Sequence, residues 1–590
     1  MIVMIGGYDM KKGKKKKEQK ENSWFSKLKS YLHDDDRKLK KVDWIIIGVF
    51  VLFYAILSFS NLGTLENPQT FYEFQYSGEE IGLELENTST EVSLIRVYSG
   101  YEVGSYDIFV SNDGSNFDEL TTITQDMVFS WNDFSLNDTF KYIKIVSKSS
   151  GSVIGEIQLY DKYGEKVAVK ASDDQSGVVI DEANTVPAKI SYKNSAYFDE
   201  VYFARSAYEY IHGIPTNEWV HPPLGKLIMM IPVLLFGMST FAYRLMGNIA
   251  GILMIPVIYS LAKNIFKNRK WAILAAILMT FDCFHFAQTR MGTVDSFLVL
   301  FMMLSVLFMY KYIVMDKKEK LSKKLTNLFL SGLFIGCVIA TKWTGLYVGL
   351  GLAIVFFAHL IYQNTGKRKK KDKDKDFVKI ILSCVLFFVV VPIVIYILSY
   401  LLFPTVYPGK VEGISGIIEQ TKNMFDYHSK LTATHDFASK WYTWPVMYKP
   451  VWYYVGYYGG NIKSTIVGIG NPAIWWFGII ASIFTLAMAI LKRRKEDLFI
   501  LVFILCTWLP YLFIGRVMFM YHYFPTLPFI MLAIVGLIKF ITEKIKNNSV
   551  YLFYVAVVIL LFVCFYPVIS GMPTTNEYID SLKWLNSWFF

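Results

Sequence analysis

The stretch 191–226, SYKNSAYFDEVYFARSAYEYIHGIPTNEWVHPPLGK, gathers the residue types that do chemistry. Its adjacent carboxylates, Asp199 and Glu200, open a segment, 200–212, with apolar residues along one helical face. A carboxylate at a helix N-terminus is favoured by the exposed amide groups there, which accounts for such a residue without any reaction. The chemical alternative is a general base. Attack by a hydroxyl oxygen requires a group that takes the hydroxyl proton as the new bond forms. Partial desolvation near a membrane raises a carboxyl pKa toward the value that task needs. Spacing alone leaves both readings of Asp199 open.

The surroundings that must position these acids are membranous. The chain has 590 residues, of which 53% are hydrophobic, 17% aromatic and only 18% charged, less charge than a soluble protein of this size carries. Apolar residues come in long blocks near the roughly 20 residues that cross a bilayer. The net charge of +11 resides in short clusters between those blocks, as the positive-inside rule expects, so no nucleic-acid partner is inferred. The cysteines are Cys283, Cys337, Cys384, Cys506 and Cys564; they lie inside apolar blocks and none forms a CxxC pair. This argues against a disulfide framework or zinc site and for small apolar residues. No cluster of His and carboxylates has metal spacing, so no obligatory metal or other cofactor is expected, although the paired acids could bind one.

The Lys-rich stretch 11–20 precedes the apolar run Trp44 to Phe59, with no small-residue cleavage site after it. This reads as a basic cytoplasmic tail (1–42) and an uncleaved first span (43–61). Further apolar blocks fall near 240–263, 271–287, 293–313, 325–341, 345–362, 378–403, 471–491, 497–514, 518–540 and 550–569, making about eleven spans. With that count the basic clusters Lys263–Lys270, Lys311–Lys324, Lys367–Lys375, Lys492–Lys495 and Lys544–Lys546 all face the cytoplasm. Counting 222–237 as a span would invert every later loop. That segment is short and carries Lys226 and Pro232, so it reads as an interfacial or re-entrant helix on the outer face. The expected organisation is an outer loop with the acids at 190–239, spans two to seven over 240–403, a second outer loop over 404–470, spans eight to eleven over 471–570, and an outer tail over 571–590.

The first outer region opens with a β-rich stretch, about 66–165, in which IGLEL (81–85) and KYIKIV (141–146) alternate like half-buried strands, with the turn signal SNDGSNF at 111–117. Together with GEIQLYD (155–161), these segments resemble the discoidin, or galactose-binding-like, β-sandwich. That resemblance implies a module that often binds carbohydrate, so a carbohydrate ligand for the β-sandwich is one expectation and a mere spacer the other.

FDE followed by HPPLGK resembles the bacterial protein O-mannosyltransferases, membrane-embedded enzymes of the dolichyl- or polyprenyl-phosphate-mannose–protein mannosyltransferase family. FAYRLMGNIAG (241–251), FDCFHFAQTRMGTVDSFLVLF (281–301), ATKWTGLY (340–347), HSKLTATHDFASKWYTWPVMYKPVWYY (428–454) and GRVMFMYHYFPTLPF (515–529) continue the likeness in order. It implies a polytopic α-helical membrane protein of the GT-C fold, with about eleven transmembrane helices and an extracellular β-sandwich inserted in the first outer loop. The implied reaction moves mannose, with inversion, from polyprenyl-phosphate mannose to Ser/Thr hydroxyls of exported proteins. Asp199 would be the general base, and Glu200 would support it or help place the acceptor.

A phosphate leaving group chiefly needs positive charge nearby. His221, Lys226, Arg244 and Arg290 are the residues that could supply it, with Asp295, Arg516 and His522 completing the substrate site. Each has a bland alternative. Arg244 could snorkel to the head groups. Lys226 could touch membrane lipids generally, His221 could fix a turn, and Arg290 could pair internally with Asp295. Trp441, Tyr442, Trp444, Trp452 and Tyr453 form either an interfacial belt or a wall over donor sugar or acceptor peptide.

Eukaryotic relatives carry a β-trefoil between the seventh and eighth spans, and the loop here is too short to hold one. A related lipid-phosphate-sugar transferase acting on a lipid or cell-wall polymer shares the donor logic. A transporter is disfavoured because the halves show no internal repeat, and an adhesin needs one anchor rather than eleven spans.

Overall fold

The computed structural model describes residues 36–87, 89–364, 376–401, 403 and 413–590. The Lys-rich stretch 11–20 and the cluster Lys367–Lys375 lie outside the described residues.

Ten described helices are long and apolar enough to cross a membrane, or eleven if one bent pair of helices counts as a single span. The block read as a single span over 271–287 is two helices, Arg269–Thr280 and Cys283–Thr289, bent by 57°. The break has a local cause: Asp282 turns its side chain back to accept the His285 N–H at 2.8 Å, starting a new helix. Similar caps set other entries, with Ser239 accepting from Ala242, Asn268 from Lys270 and Asn471 from Ala473. Helix Leu224–Phe236 has 13 residues, about 20 Å at helical rise, and falls short of a hydrocarbon layer of about 30 Å. Helix Thr240–Phe266 has 27 residues, about 40 Å, so its ends reach beyond that layer and Arg244 lies in its second turn.

The β-rich stretch is a sandwich of two five-stranded antiparallel sheets. One sheet orders Tyr72–Glu73, Val153–Asp161, Thr90–Ser99 and Trp131–Phe140, with Lys166–Val167 beside the second of these. The other orders Val169–Ala171, Glu80–Leu85, Tyr142–Ser147, Ser105–Ser111 and Asp118–Thr124. Ile81, Leu83, Leu85, Ile143 and Ile145 point inward, as the alternation requires, and share one core with Val92, Ile95, Val97, Ile157 and Leu159 of the facing sheet. The last strand, Val169–Ala171, runs past the expected boundary at 165 because it pairs with Glu80–Leu85, Val169 opposite Leu85.

The second long connection contributes helix Gly413–Lys430 and the hairpin Val451–Tyr457/Ile462–Gly468. It folds onto the first: His428 Nε2 lies 2.8 Å from the Val220 carbonyl, and Gln420 donates to the Trp219 carbonyl at 2.9 Å. Strand Thr574–Thr575, beyond the final span, adds a third strand to the hairpin.

Helix Leu321–Thr341 packs closely on Phe377–Ser399, which carries a wide turn at Leu386–Val390. Pro392 has no N–H to offer the preceding turn, which loosens the hydrogen-bond ladder there. A Cβ at Gly332 would collide with the Phe387 carbonyl, and one at Gly336 would lie 3.0 Å from the Pro392 Cα. Gly332→Val is expected to cost about 1–3 kcal/mol and lower the thermal midpoint of the detergent-solubilised protein. Gly349→Ala, whose Cβ would meet only Ile335 at 4.0 Å, is expected to leave the midpoint unchanged.

Candidate active site

The two adjacent acids have opposite environments. Asp199 stands at the N-cap of helix Glu200–His212 but makes no capping hydrogen bond. It is partly exposed, and its carboxylate makes no hydrogen bond or ion pair with the described residues. The chain reaches it through Phe198 at φ +52°, a left-handed conformation costly for an aromatic residue. The Phe198 ring packs against Tyr453 and Tyr521, with centroids 4.7 and 6.4 Å away, so the strained residue is held. Burial pushes the Asp199 carboxyl up to about 7; the Lys342 charge opposes the rise, and Asp295 and Glu218 add to it.

Glu200 has no exposed side-chain surface and is bound on both oxygens by Arg244, Nε to Oε1 and an Nη to Oε2, each at 2.6 Å. The Gly292 N–H donates to Oε1 at 2.9 Å and the Tyr197 N–H to Oε2 at 3.2 Å. The other three Arg244 donors reach the carbonyls of Leu62 at 2.9 Å, Tyr192 at 2.6 Å and Ser195 at 3.2 Å. All five guanidinium N–H groups are thereby used. One expectation is corrected and one narrowed: Arg244 has no donor left for a phosphate, and Glu200, sealed away from an acceptor, keeps only the alternative of supporting Asp199. The pair is an anchor beneath Asp199.

Lys226 is corrected for the same reason. It is fully buried, and its ammonium donates to Glu218 Oε2 at 2.6 Å, to the His221 carbonyl at 3.0 Å and to the Glu218 carbonyl. His221 Nδ1 lies 2.6 Å from Glu218 Oε1, which holds the ring as well as the turn. Burial lowers the His221 pKa against the pull of Glu218, while the Lys226 charge, with the hydrogen bonds from Lys226 and His221, brings the Glu218 carboxyl down to about 2 in spite of its burial. Arg290 donates to the carbonyls of Ser58, Ser60 and Asn61 at 3.0, 2.7 and 2.9 Å and does not pair with Asp295. Asp295 pairs instead with Lys342 at 2.9 Å.

Two cations remain available. Lys342 spends one of its donors on Asp295. Arg516 is partly exposed and makes no hydrogen bond or ion pair with the described residues. His428 is brought down to about 4 by burial, aided by the His221 and Arg516 charges, so these groups share one neighbourhood. His522 is buried, stacked between Trp444 and Tyr521 at 5.9 and 4.7 Å. The aromatic loop residues divide. Tyr453 donates to Gln288 at 2.6 Å under Phe198, Trp452 donates to Thr465 at 2.6 Å, and Tyr442 stays exposed.

Sequence reasoning passed over Lys342, Glu218 and His428. Each lies inside a stretch singled out for its motif, and the usable signal for Lys342 was a lone lysine closing a long apolar run.

A family model described as dolichyl-phosphate-mannose-protein mannosyltransferase matches residues 184–403, and one described as the C-terminal four-TMM region of protein-O-mannosyltransferase matches residues 414–588. The sandwich strands lie outside both stretches. The chain is 24% identical over 454 residues to the polyprenol-phosphate-mannose–protein mannosyltransferase of Mycolicibacterium smegmatis, covering 66% of this chain and 87% of that protein. It is 22% identical over 455 residues to the protein of the same name from Mycobacterium tuberculosis, covering 66% and 86%. Its fold is similar to that of the S. cerevisiae protein O-mannosyltransferase Pmt1-Pmt2 complex bound to the sugar donor, with a TM-score of 0.59 and 14% identity over 67% of this chain and 89% of that one.

The contrast between the acids predicts opposite effects on stability. Arg244→Leu leaves a buried carboxylate unpaired and is expected to cost about 3–5 kcal/mol, read as a large drop in thermal midpoint. Asp199→Asn removes a desolvated carboxylate that has no partner and is expected to leave the midpoint at or above that of the unsubstituted protein.

Proposed function

The chain belongs to the dolichyl-phosphate-mannose–protein mannosyltransferase family, and we propose that it transfers mannose, with inversion, from polyprenyl-phosphate mannose to Ser or Thr hydroxyls of exported proteins, with Asp199 as general base. The observation that carries this reading is the carboxylate at 199, uncommitted among the described residues and poised to about 7 beside a carboxylate that is wholly committed.

In the proposed step the acceptor hydroxyl oxygen attacks mannose C1 from the face opposite the phosphate. Asp199 takes the hydroxyl proton as the new C1–O bond forms, and the C1–O bond to phosphate breaks with its electron pair leaving on polyprenyl phosphate. Arg516 and Lys342, the cations with donors to spare, stabilise the leaving phosphate. His221 and His522 shape that pocket, and Asp295 holds Lys342. No protein group need protonate the phosphate.

We place the site on the extracellular face and the N-terminus in the cytoplasm. Helix Thr240–Phe266 supports this, since Arg244 and the acids lie at one end and the basic cluster Lys263–Lys270 at the other. A carbohydrate ligand for the sandwich would find hydroxyl groups of Ser105, Thr122 and Thr124 and the Lys148 ammonium along an open groove of about 550 Å³.

Purified enzyme given labelled polyprenyl-phosphate mannose and a Ser/Thr-rich peptide is expected to label the peptide. Asp199→Asn should lose roughly 10²- to 10⁴-fold in kcat. Undiminished transfer would remove Asp199 as base, and label passing only to lipid would favour a lipid or wall-polymer acceptor. Arg516→Ala is expected to raise the donor KM about 10- to 100-fold, the loss of a charge-assisted phosphate contact. kcat/KM should rise with pH through an acid limb near 7, as Asp199 loses its proton. Asp295→Asn removes a charge that raises Asp199 and releases Lys342, so the limb should move to lower pH.

A further inference from the structure

We infer that the inserted β-sandwich is a positioning element for the catalytic carboxylate, gripping the chain on both sides of Asp199, with Arg205 as its main positioning residue. The inference rests on the reading of Asp199 as base.

The first grip lies just before the acids. The Ala196 N–H donates to the Phe129 carbonyl at 3.0 Å, Ser130 Oγ donates to the Ala196 carbonyl at 3.2 Å, and the Trp131 N–H donates to Ser195 Oγ at 3.1 Å. Phe129 adopts φ +50° to make this turn, a second left-handed aromatic residue close to the site. The Ser195 carbonyl in turn accepts from Arg244, so the sandwich is coupled to the buried anchor through one residue.

The second grip lies on the helix that Asp199 caps. Arg205, almost fully buried, binds Glu209 of its own helix at 2.7 Å and Glu102 of the sandwich. One turn further, Tyr208 stacks on Tyr101 at 5.3 Å and meets the edges or faces of Phe71 and Phe129 at 5.7 and 5.5 Å. Tyr98, Phe129 and Trp131 of the sandwich share a core with Ala204, Ala207, Val233 and Tyr243. A spacer needs no contact with the segment that carries the acids. This domain is joined through buried aromatic packing, backbone hydrogen bonds and a two-carboxylate arginine clamp. It does so from outside the stretches that match the family models.

The test uses the full-length enzyme with Arg205→Leu, Arg205→Lys, Glu102→Gln and Tyr101→Ala, alongside Asp199→Asn. Glu102 and Tyr101 retain solvent exposure, so their variants should fold even where Arg205→Leu does not. Displacing a reacting group by about 1 Å costs on the order of 10²-fold in rate. The sandwich variants are therefore expected to lose about 10- to 100-fold in kcat with donor KM unchanged. Their acid limb should slide toward the ordinary carboxylate range, and Arg205→Lys should recover much of both. Unchanged kcat and acid limb in Glu102→Gln and Tyr101→Ala, with Asp199→Asn inactive, would overturn the positioning role and leave the base intact. If Asp199→Asn stays active, the base reading fails. Hydrogen exchange over 196–212 then decides the grip: faster exchange in the sandwich variants supports it, and unchanged exchange overturns it.

Discussion

Two full charges with no exposed side-chain surface, Glu200 and Arg244, meet at the point on which the rest of the molecule turns. Removing such ions from water costs several kcal/mol each, and the pair is tolerable only because every donor and both oxygens find partners. Those partners come from five separate parts of the chain: the end of the first span at Leu62, the segment Tyr192–Ser195, the start of helix Glu200–His212, span Thr240–Phe266, and Gly292 after the broken span. None can shift alone without stranding a charge. Gly292 is confined as well, since a Cβ there would lie 2.8 Å from the Tyr243 ring. Asp199, one residue away, inherits its fixed place from a neighbour that takes no part in chemistry.

The same logic sorts the cations. Arg244, Lys226 and Arg290 are spent on carboxylates and carbonyls inside the protein, where they join loops to spans. Lys342 is partly spent and Arg516 makes no such contact with the described residues. Under the proposed reaction, in which a phosphate must be received and released again, this separation is an advantage. The buried cations hold loops to spans, while Lys342 keeps donors to spare and Arg516 makes no such contact with the described residues.

The membrane architecture was legible because apolar run length and lysine placement are one-dimensional signals. The helix at 200–212, the strands around 81–85 and 141–146, and the short helix at 224–236 followed from periodicity and length. What sequence could not provide was partnership. Arg244 reads the same whether it faces a phosphate or Glu200, and its partner lies 44 positions away. Lys226 likewise carries no mark of its counter-ion, Glu218, eight positions away in the same motif stretch. The broken span at Asp282 was hidden because its two halves sum to one apolar block. The left-handed backbone at Phe198 leaves no trace in composition, since glycine or asparagine would be the expected occupant.

The segment beyond the final span does more than trail from the membrane. Thr574–Thr575 completes the hairpin whose first strand carries Tyr453, and Trp588 donates to the Met447 carbonyl at 2.7 Å. Ser464 is fixed by the Gly571 carbonyl at 2.6 Å. The wall that supports Phe198 is therefore finished by residues synthesised hundreds of positions after the acid it serves. While a nascent chain is still threading into the bilayer, with early spans already inserted, the hairpin lacks its outer strand and the pocket lacks that support. The enclosure around the acid pair is in this way completed only once residues 571–588 are in place.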